Sequence, residues 1–183
     1  KRHMTQLGDA LAKIHAYWWE DKRLGDTIGI QLTEEKLDKQ LTAQKEAYQQ
    51  FVESGSIVIQ TRQKQILDKV VGNMPSKRRQ RILDGDWKTL IHSDLKPDNF
   101  LYSHNSSKIL DWKDWKIGFG TDDIAYMMAF HWDAKKRKFE EPRVLKQYWG
   151  ELNRLGVKKY SYDEMMLDYG HMGSGGLEIR QME

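Results

Sequence analysis

The 183-residue sequence contains no cysteine, which excludes disulfide bonds and thiolate chemistry. This absence fits a reducing compartment, and we expect a cytoplasmic protein. The sequence also lacks an apolar run of the ~18 residues that a membrane-spanning helix needs. No signal peptide is recognisable at its start, so we expect no contact with a membrane.

The sequence also lacks a strong excess of one charge, because its net charge is only +3. The basic cluster at 77–81 favours a solvated helix face, and we expect no nucleic-acid partner. Hydrophobic residues make up 39% of the sequence and charged residues 31%, as is usual in soluble globular proteins. The length predicts a single domain over residues 1–183.

The residue types that carry chemistry are concentrated between residues 90 and 123. Asp94 is followed by Asn99 and then, after a gap of hairpin length, by Asp111. Phosphoryl transfer needs a carboxylate that orients the acceptor hydroxyl and oxygen ligands that hold Mg²⁺ on the phosphates. The spacing H-x-D-x-x-x-x-N is also that of the kinase catalytic loop. We therefore assign Asp94 as the catalytic base and Asn99 and Asp111 as metal ligands.

The local pattern predicts how these three side chains meet. Apolar runs at 100–102 and 108–110 flank a polar turn at 103–107, which predicts a β-hairpin. Asn99 then precedes the first strand and Asp111 follows the second, so antiparallel pairing brings them together. Asp94 lies in the loop that leads into this hairpin.

The segment from Leu90 to Ala125 resembles the core of the aminoglycoside phosphotransferase and choline kinase superfamily. The resemblance rests on H-x-D-x-x-x-x-N after an apolar run, on Leu110-Asp111-Trp112 and on Asp123-Ile124-Ala125. Two residues depart from the pattern, since Ser93 replaces a usual glycine and Lys113 replaces a common acidic residue. Weaker similarities extend over about residues 5 to 170.

The resemblance implies an α+β, predominantly α fold, namely the C-terminal lobe of the protein-kinase-like fold with a small β-hairpin at its catalytic centre. It implies a catalytic core at 88–125, helical subdomains at 5–83 and 121–170, and ATP and Mg²⁺ as cofactors. It further implies that His92 and Asp123 support the catalytic loop. We expect the Asp123 carboxylate to accept backbone N–H bonds from that loop.

Some parts of a complete kinase are not found in the sequence. No Gly-rich phosphate loop, no strand with a phosphate-binding lysine and no partner glutamate precede Asp94. We therefore expect that the small N-terminal nucleotide-binding lobe is absent from this chain, because the chain is a fragment of a longer protein, because the lobe was not observed, or because the protein is a degenerate relative. The 183-residue chain should fold but be inactive alone. No nucleotide-binding residue can be assigned. The alternative function is that of a pseudokinase-like binding or scaffold domain without turnover.

The acceptor stays open among choline-like amines, aminoglycosides, sugars and other alcohols. Trp112, Trp115 and Trp132 could form the floor of an acceptor site, for example by cation–π contact with a quaternary amine. The alternative is that these tryptophans belong to the core. Aminoglycosides would need a carboxylate cluster, for which the sequence offers as candidates Asp98, Asp114 and Asp133.

Periodicity and capping signals predict the remaining helices. The predicted spans are 5–20, a helix capped by Thr33 that ends at Ser54, 57–71, 76–83, 121–131, and a helix that starts at Pro142 and ends near Leu155. The segment 72–75 is predicted to break a helix and 135–141 to be an exposed connector. Ser161 and Glu164 form a predicted capping box, and 170–183 is predicted to fray.

Overall fold

The computed structural model describes residues 2–30, 33–55, 59–104 and 107–172. The described residues form two compact units, one from the segments 1–31 and 87–172 and the other from 32–86. The first helix of the chain therefore groups with the later helices, whereas the sequence prediction had placed 5–83 in one helical subdomain. Fraying was predicted for 170–183, but residues 170–172 belong to the last helix, and 173–183 lie outside the described residues.

The unit formed by 32–86 is a pair of helices, α2 (Glu34–Ser54) and α3 (Thr61–Asp84). Thr33 caps α2 as predicted, because its Oγ1 accepts a hydrogen bond from the backbone N–H of Lys36. Gly55 ends the helix in the left-handed conformation. The two helices are joined by a hydrogen bond of 2.8 Å from the Tyr48 hydroxyl to Asp68 Oδ1.

The predicted break at 72–75 is wrong, since α3 is one continuous helix through these residues. Glycine and proline at 72 and 75 indicated a turn. A proline, however, removes only one main-chain hydrogen bond and keeps a helical φ angle, so it does not always end a helix.

The other unit contains four helices and four short strands among its described residues. The helices are α1 (Arg2–Tyr17), α4 (Gly120–His131), α5 (Ala134–Arg154) and α6 (Tyr162–Met172), and the strands are β1 (Lys88–Ile91), β2 (Phe100–Tyr102), β3 (Ser107–Ile109) and β4 (Lys116–Phe119). The prediction of an α+β fold that is predominantly helical is confirmed. No helix of the described residues is long and apolar enough to cross a membrane.

The core of this unit is formed by α1, α4, α5 and α6 together with buried residues of β2 and β3. α1 packs along α5, and α4 packs against α6. Apolar side chains spaced three or four residues apart on each helix point into one cluster. Its fully buried members include Leu7, Leu11, Leu95, Ile124, Met128, Leu145, Tyr148, Leu152 and Met165.

The strands form two antiparallel pairs. β2 pairs with β3, with Phe100 opposite Ile109, which is the predicted hairpin. β1 pairs with β4, a strand that the sequence analysis did not predict. Gly118 interrupts the apolar pattern of β4. A Cβ there would approach Ile91 Cδ1 to 2.5 Å, so the Ile91 side chain would have to shift.

The predicted connector at 135–141 is also wrong, because α5 already begins after Asp133. The Asp133 carboxylate caps the helix by accepting the backbone N–H of Lys136 at 2.9 Å. Arg137 and Glu141 form an ion pair one turn apart, with Glu141 buried. Pro142 therefore lies inside α5 rather than at its start.

The predicted capping box at the start of α6 is confirmed. The backbone N–H of Ser161 donates to Glu164 Oε2 at 2.7 Å, and the backbone N–H of Glu164 donates to Ser161 Oγ at 3.2 Å. This reciprocal pair fixes the direction in which α6 leaves its preceding loop and packs against α4.

Candidate active site

The loop after β1 and the β2–β3 hairpin form one hydrogen-bonded assembly. The backbone N–H of Leu110 donates to the carbonyl of Asn99 at 2.8 Å, which extends the hairpin by one residue pair. The Asn99 side chain is buried, and its Nδ2 donates to the carbonyl of Asp94 at 2.9 Å. Asn99 therefore connects the loop that carries Asp94 to the strand end that carries Asp111.

His92 makes a second connection between the same two segments. Its Nε2 donates to the carbonyl of Leu110 at 2.7 Å, and its Nδ1 accepts the backbone N–H of Asp94 at 3.3 Å. A carbonyl can only accept and an N–H can only donate, so these two bonds require the neutral Nε2–H tautomer. The imidazole is fully buried against the edge of Trp112. These contacts suit the supporting role expected for His92.

Asp123 anchors the catalytic loop through the backbone N–H groups of that loop. Its carboxylate accepts the backbone N–H of His92 through Oδ2 and that of Ser93 through Oδ1, both at 2.8 Å. This is the pair of contacts expected from the resemblance. Ser93 has φ +69°, a left-handed conformation that glycine adopts without strain and other residues rarely adopt. Position 93, where the family pattern usually has glycine, therefore has a backbone conformation that suits glycine although this chain has serine there.

Asp123 is also the end of a buried hydrogen-bonded relay that consists of Asp123, His15 and Tyr148. His15 Nε2 donates to Asp123 Oδ2 at 3.3 Å, and the Tyr148 hydroxyl lies 2.8 Å from His15 Nδ1. Burial raises the pKa of Tyr148 well above its ordinary value, so the phenol stays protonated and is able to donate a hydrogen bond to Nδ1. Gly120 lies against this relay, and a Cβ there would come within 2.7 Å of His15 Nδ1. The sequence analysis assigned no role to His15, so its link to the loop was missed.

The Asp94 carboxylate is partly exposed, with 22% of its side chain accessible, and has a partner on each oxygen. Lys96 Nζ donates to Oδ2 at 2.6 Å, and the Tyr126 hydroxyl donates to Oδ1 at 3.2 Å. The hydrogen bond from Lys96 is the main cause of a lowered pKa for Asp94, and the bond from Tyr126 lowers it further. Asp94 is therefore a carboxylate over the whole neutral range.

Asp111 is the most open member of the predicted set. Its side chain is 39% accessible, and Lys113 Nζ lies 3.4 Å from its Oδ2. It has φ +60° and ψ +57°, which turns the chain sharply at the end of the hairpin. The carboxylates of both Asp94 and Asp111 raise the pKa of Lys96, with Asp94 the larger cause. Lys96 thus lies within the electrostatic reach of both.

The three predicted tryptophans have different surroundings. Trp112 is half-buried, and its Nε1 donates to the carbonyl of Ile109 at 2.9 Å. Trp132 is buried in the core cluster, and Lys136 Nζ lies 4.5 Å from its ring centroid. Trp115 is 38% accessible and lies beside Gly29. An acceptor-binding role for these three tryptophans stays a prediction.

Two side chains of the site were missed by sequence reasoning, Lys96 and Tyr126. No role was assigned to Lys96 from the sequence. Tyr126 lies three residues after Asp123 on α4, and residues at that spacing share one face of a helix. This spacing was the available signal. Since Asp123 was already expected to face the loop, Tyr126 had to face it too.

Comparison with known proteins gives a match to the family model of the phosphotransferase enzyme family over residues 1–156. Among solved structures, a choline/ethanolamine kinase family protein from Mesorhizobium loti is similar to this chain, with 14% identity and a TM-score of 0.48. The similarity covers 97% of this chain and 62% of that protein, so this chain spans less than two thirds of its length. No curated protein matches this chain.

Proposed function

We propose, because this chain belongs to the phosphotransferase enzyme family, that it carries the catalytic centre of an ATP- and Mg²⁺-dependent kinase. The acceptor is a hydroxyl group of a small molecule. The membership confirms the resemblance that was inferred from the residues between Leu90 and Ala125. The observation that carries the proposal is the pair of hydrogen bonds from Asn99 Nδ2 to the Asp94 carbonyl and from His92 Nε2 to the Leu110 carbonyl. Together they join the loop that carries the proposed base to the hairpin end that carries the proposed metal ligands, which supports the proposal.

Asp94 acts on the acceptor hydroxyl. Its lowered pKa makes it a weak base, which is sufficient because little negative charge develops on the acceptor oxygen in a loose phosphoryl-transfer transition state. The carboxylate accepts the hydroxyl hydrogen bond, aligns the oxygen for in-line attack and takes the proton late in the reaction. Positioning of this kind contributes a large part of the rate in such reactions.

The residues present fit a magnesium ion held jointly with phosphate. Asn99 donates a side-chain amide N–H to the Asp94 carbonyl, which leaves its Oδ1 as an oxygen ligand for a metal ion, together with the Asp111 carboxylate. No group of three or more His, Cys, Asp or Glu side chains in the described part of the chain could hold a metal ion without help. Mg²⁺ is usually bound by one or two protein oxygens together with phosphates and water. When bound there, it would neutralise charge on the transferred phosphoryl group.

The test combines an acceptor screen with two substitutions in the full-length protein. Turnover of ATP is measured against a library of small alcohols that includes amino alcohols, aminoglycosides and sugars. With the best acceptor, Asp94→Ala should lower kcat by about 10²–10⁴-fold, which is the usual contribution of a positioned acid–base group. Asp111→Ala should remove the magnesium dependence of nucleotide binding, because Asp111 acts on the metal and not on the acceptor.

Asp163→Ala is the matched control, since this aspartate lies exposed in the first turn of α6. It should leave both turnover and magnesium-dependent binding unchanged. Wild-type turnover by Asp94→Ala would contradict the assignment of the base. Binding of Mg-ATP without turnover of any alcohol would instead favour the alternative of a binding domain.

A further inference from the structure

The Asp94 carboxylate has two neighbours that differ in how firmly they are held. Lys96 belongs to the same loop, and 36% of its flexible side chain is accessible. Tyr126 belongs to α4, and its ring is braced by Phe130 at 4.9 Å and by His131 at 6.1 Å between ring centroids. An aromatic side chain has fewer rotatable bonds than a lysine side chain. The Tyr126 hydroxyl therefore has fewer accessible positions than the Lys96 ammonium.

α4 therefore contacts the catalytic loop at two levels. One turn of the helix presents the Asp123 carboxylate to the backbone N–H groups of His92 and Ser93. The next presents the Tyr126 hydroxyl to the side chain of Asp94. The first contact sets where the loop runs, and the second sets how the Asp94 carboxylate is rotated. Rotation of the carboxylate decides which lone pair faces an acceptor hydroxyl.

We infer that Tyr126 is a positioning residue for the phosphoryl transfer proposed above, and that it fixes the orientation of the Asp94 carboxylate through its hydroxyl. The inference rests on the proposed function. The hydrogen-bond distance of 3.2 Å is longer than the ~2.7–2.8 Å of most O–H···O bonds. Catalytic hydrogen bonds are often long in free enzymes and shorten in the reacting complex, so a bond that tightens during catalysis is expected.

The hydroxyl is able to act only as a donor to Asp94. Burial is the main cause that raises the pKa of Tyr126, and the hydrogen bond to Asp94 adds to it. The phenol therefore stays protonated wherever Asp94 is a carboxylate. Removal of this donor withdraws stabilisation from the charged form of Asp94, so the pKa of Asp94 must rise. A residue that merely fills space would not produce this change when only its hydroxyl is removed.

The experiment compares Tyr126→Phe with wild type by two independent measurements. The pKa of Asp94 is followed by ¹³C NMR in protein labelled at the aspartate carboxyl carbons, with the Asp94 signal identified from Asp94→Asn. Steady-state kinetics are measured with ATP and the alcohol found in the acceptor screen. Tyr162→Phe is the matched control, because Tyr162 lies on α6 and packs its ring against Trp149.

Tyr126→Phe should raise the pKa of Asp94 and move the acidic limb of the kcat profile to higher pH. It should lower kcat about tenfold, as loss of one hydrogen bond to a charged group predicts, and leave the KM for ATP unchanged. Tyr162→Phe should change neither. An unchanged Asp94 pKa would overturn the inference, and so would a raised pKa with an unchanged kcat. If the wild-type protein turns over no alcohol, the proposed function fails, and the NMR titration still decides separately whether the Tyr126 hydroxyl acts on Asp94.

Discussion

The residue on which most of the site depends is Asp123. Its carboxylate satisfies two backbone donors of the loop and one imidazole nitrogen, all of them buried or half-buried. Asp123→Ala leaves these donors without a partner, and each unpaired buried group costs about 1–3 kcal/mol. We expect a loss of ~2–5 kcal/mol in the free energy of unfolding, measured by urea denaturation.

The same substitution should reduce catalysis, because the loop that carries Asp94 loses its anchor. Asp163→Ala again supplies the comparison, as an exposed aspartate in the first turn of another helix. A melting temperature that is the same in Asp123→Ala as in wild type would show that Asp123 is only a solvated helix-terminal residue.

Ser93 offers a test of backbone strain that leaves the hydrogen bonds of the loop intact. Its N–H donates to Asp123 whatever the side chain is, so substitutions report mainly on the left-handed φ of +69°. Ser93→Val should lose ~1–3 kcal/mol of stability, because β-branched residues tolerate this conformation poorly. Ser93→Gly should be at least as stable as wild type, since relief of strain offsets the entropy cost of glycine. Urea unfolding in which the valine variant equals wild type would show that position 93 is unstrained.

Among the helices, a pair of glycines gives opposite expectations for the same chemical change. Gly120 begins α4 against His15 and Tyr148, and an added methyl group would collide with both. Gly120→Ala should therefore destabilise the protein by several kcal/mol, roughly 2–4. Gly150 lies exposed within α5 with no atom within 4 Å of an added Cβ. Gly150→Ala should stabilise by ~0.5–1 kcal/mol through helix propensity. Thermal denaturation of both variants checks the pair, and equal effects would contradict the close packing of the relay at Gly120.

The elements that could be predicted from sequence are those with local signals. Thr33, Ser161 and Glu164 cap helices through neighbouring backbone groups, so the pattern itself contains the interaction. The β2–β3 hairpin is local in the same sense. Strand β4 was missed because its partner β1 is distant in sequence and its own signal is interrupted by Gly118.

The error at Pro142 has a physical cause. Proline disfavours a helix interior, but the penalty is only ~3 kcal/mol and tertiary packing can exceed it. In α5 the buried side chains Val144, Leu145, Tyr148 and Leu152 follow Pro142, and the cap at Asp133 precedes it. A sequence pattern shows the penalty of a proline but not the burial that outweighs it.

Some residues of the candidate site could also be predicted from local sequence signals, whereas others could not. The set Asp94, Asn99, Asp111 and Asp123 is recognisable because its spacing is tied to a loop, a hairpin and a helix start. The contacts of His15, Tyr148 and Tyr126 depend on how α1, α4 and α5 pack, and residues 15 and 148 are far apart in the chain. Such contacts become visible only when the fold is known.

For the whole molecule, the two compact units should differ in local stability. In the unit formed by 32–86, the buried apolar side chains among the described residues are Leu37 and Leu41. The other unit has a continuous buried cluster that runs through α1, α4, α5 and α6. Because local opening is easiest where little apolar surface is buried, amides of α2 and α3 should exchange with solvent about tenfold faster or more than those of α4. Hydrogen-exchange mass spectrometry on peptides from 34–54 and 120–131 measures the difference, and equal protection of the two would contradict it.

Asp123 and Tyr126 of α4 both contact the catalytic loop, and this restricts which insertions and deletions the gene can tolerate. Each residue advances an α-helix by ~100°, so one codon gained or lost between Asp123 and Tyr126 would turn the Tyr126 hydroxyl away from Asp94. Replacement of Ile124 or Ala125 by another apolar residue of similar volume leaves that angle unchanged. Descendants of this sequence are therefore free to vary in composition at these two positions, but the length of the interval between Asp123 and Tyr126 is fixed.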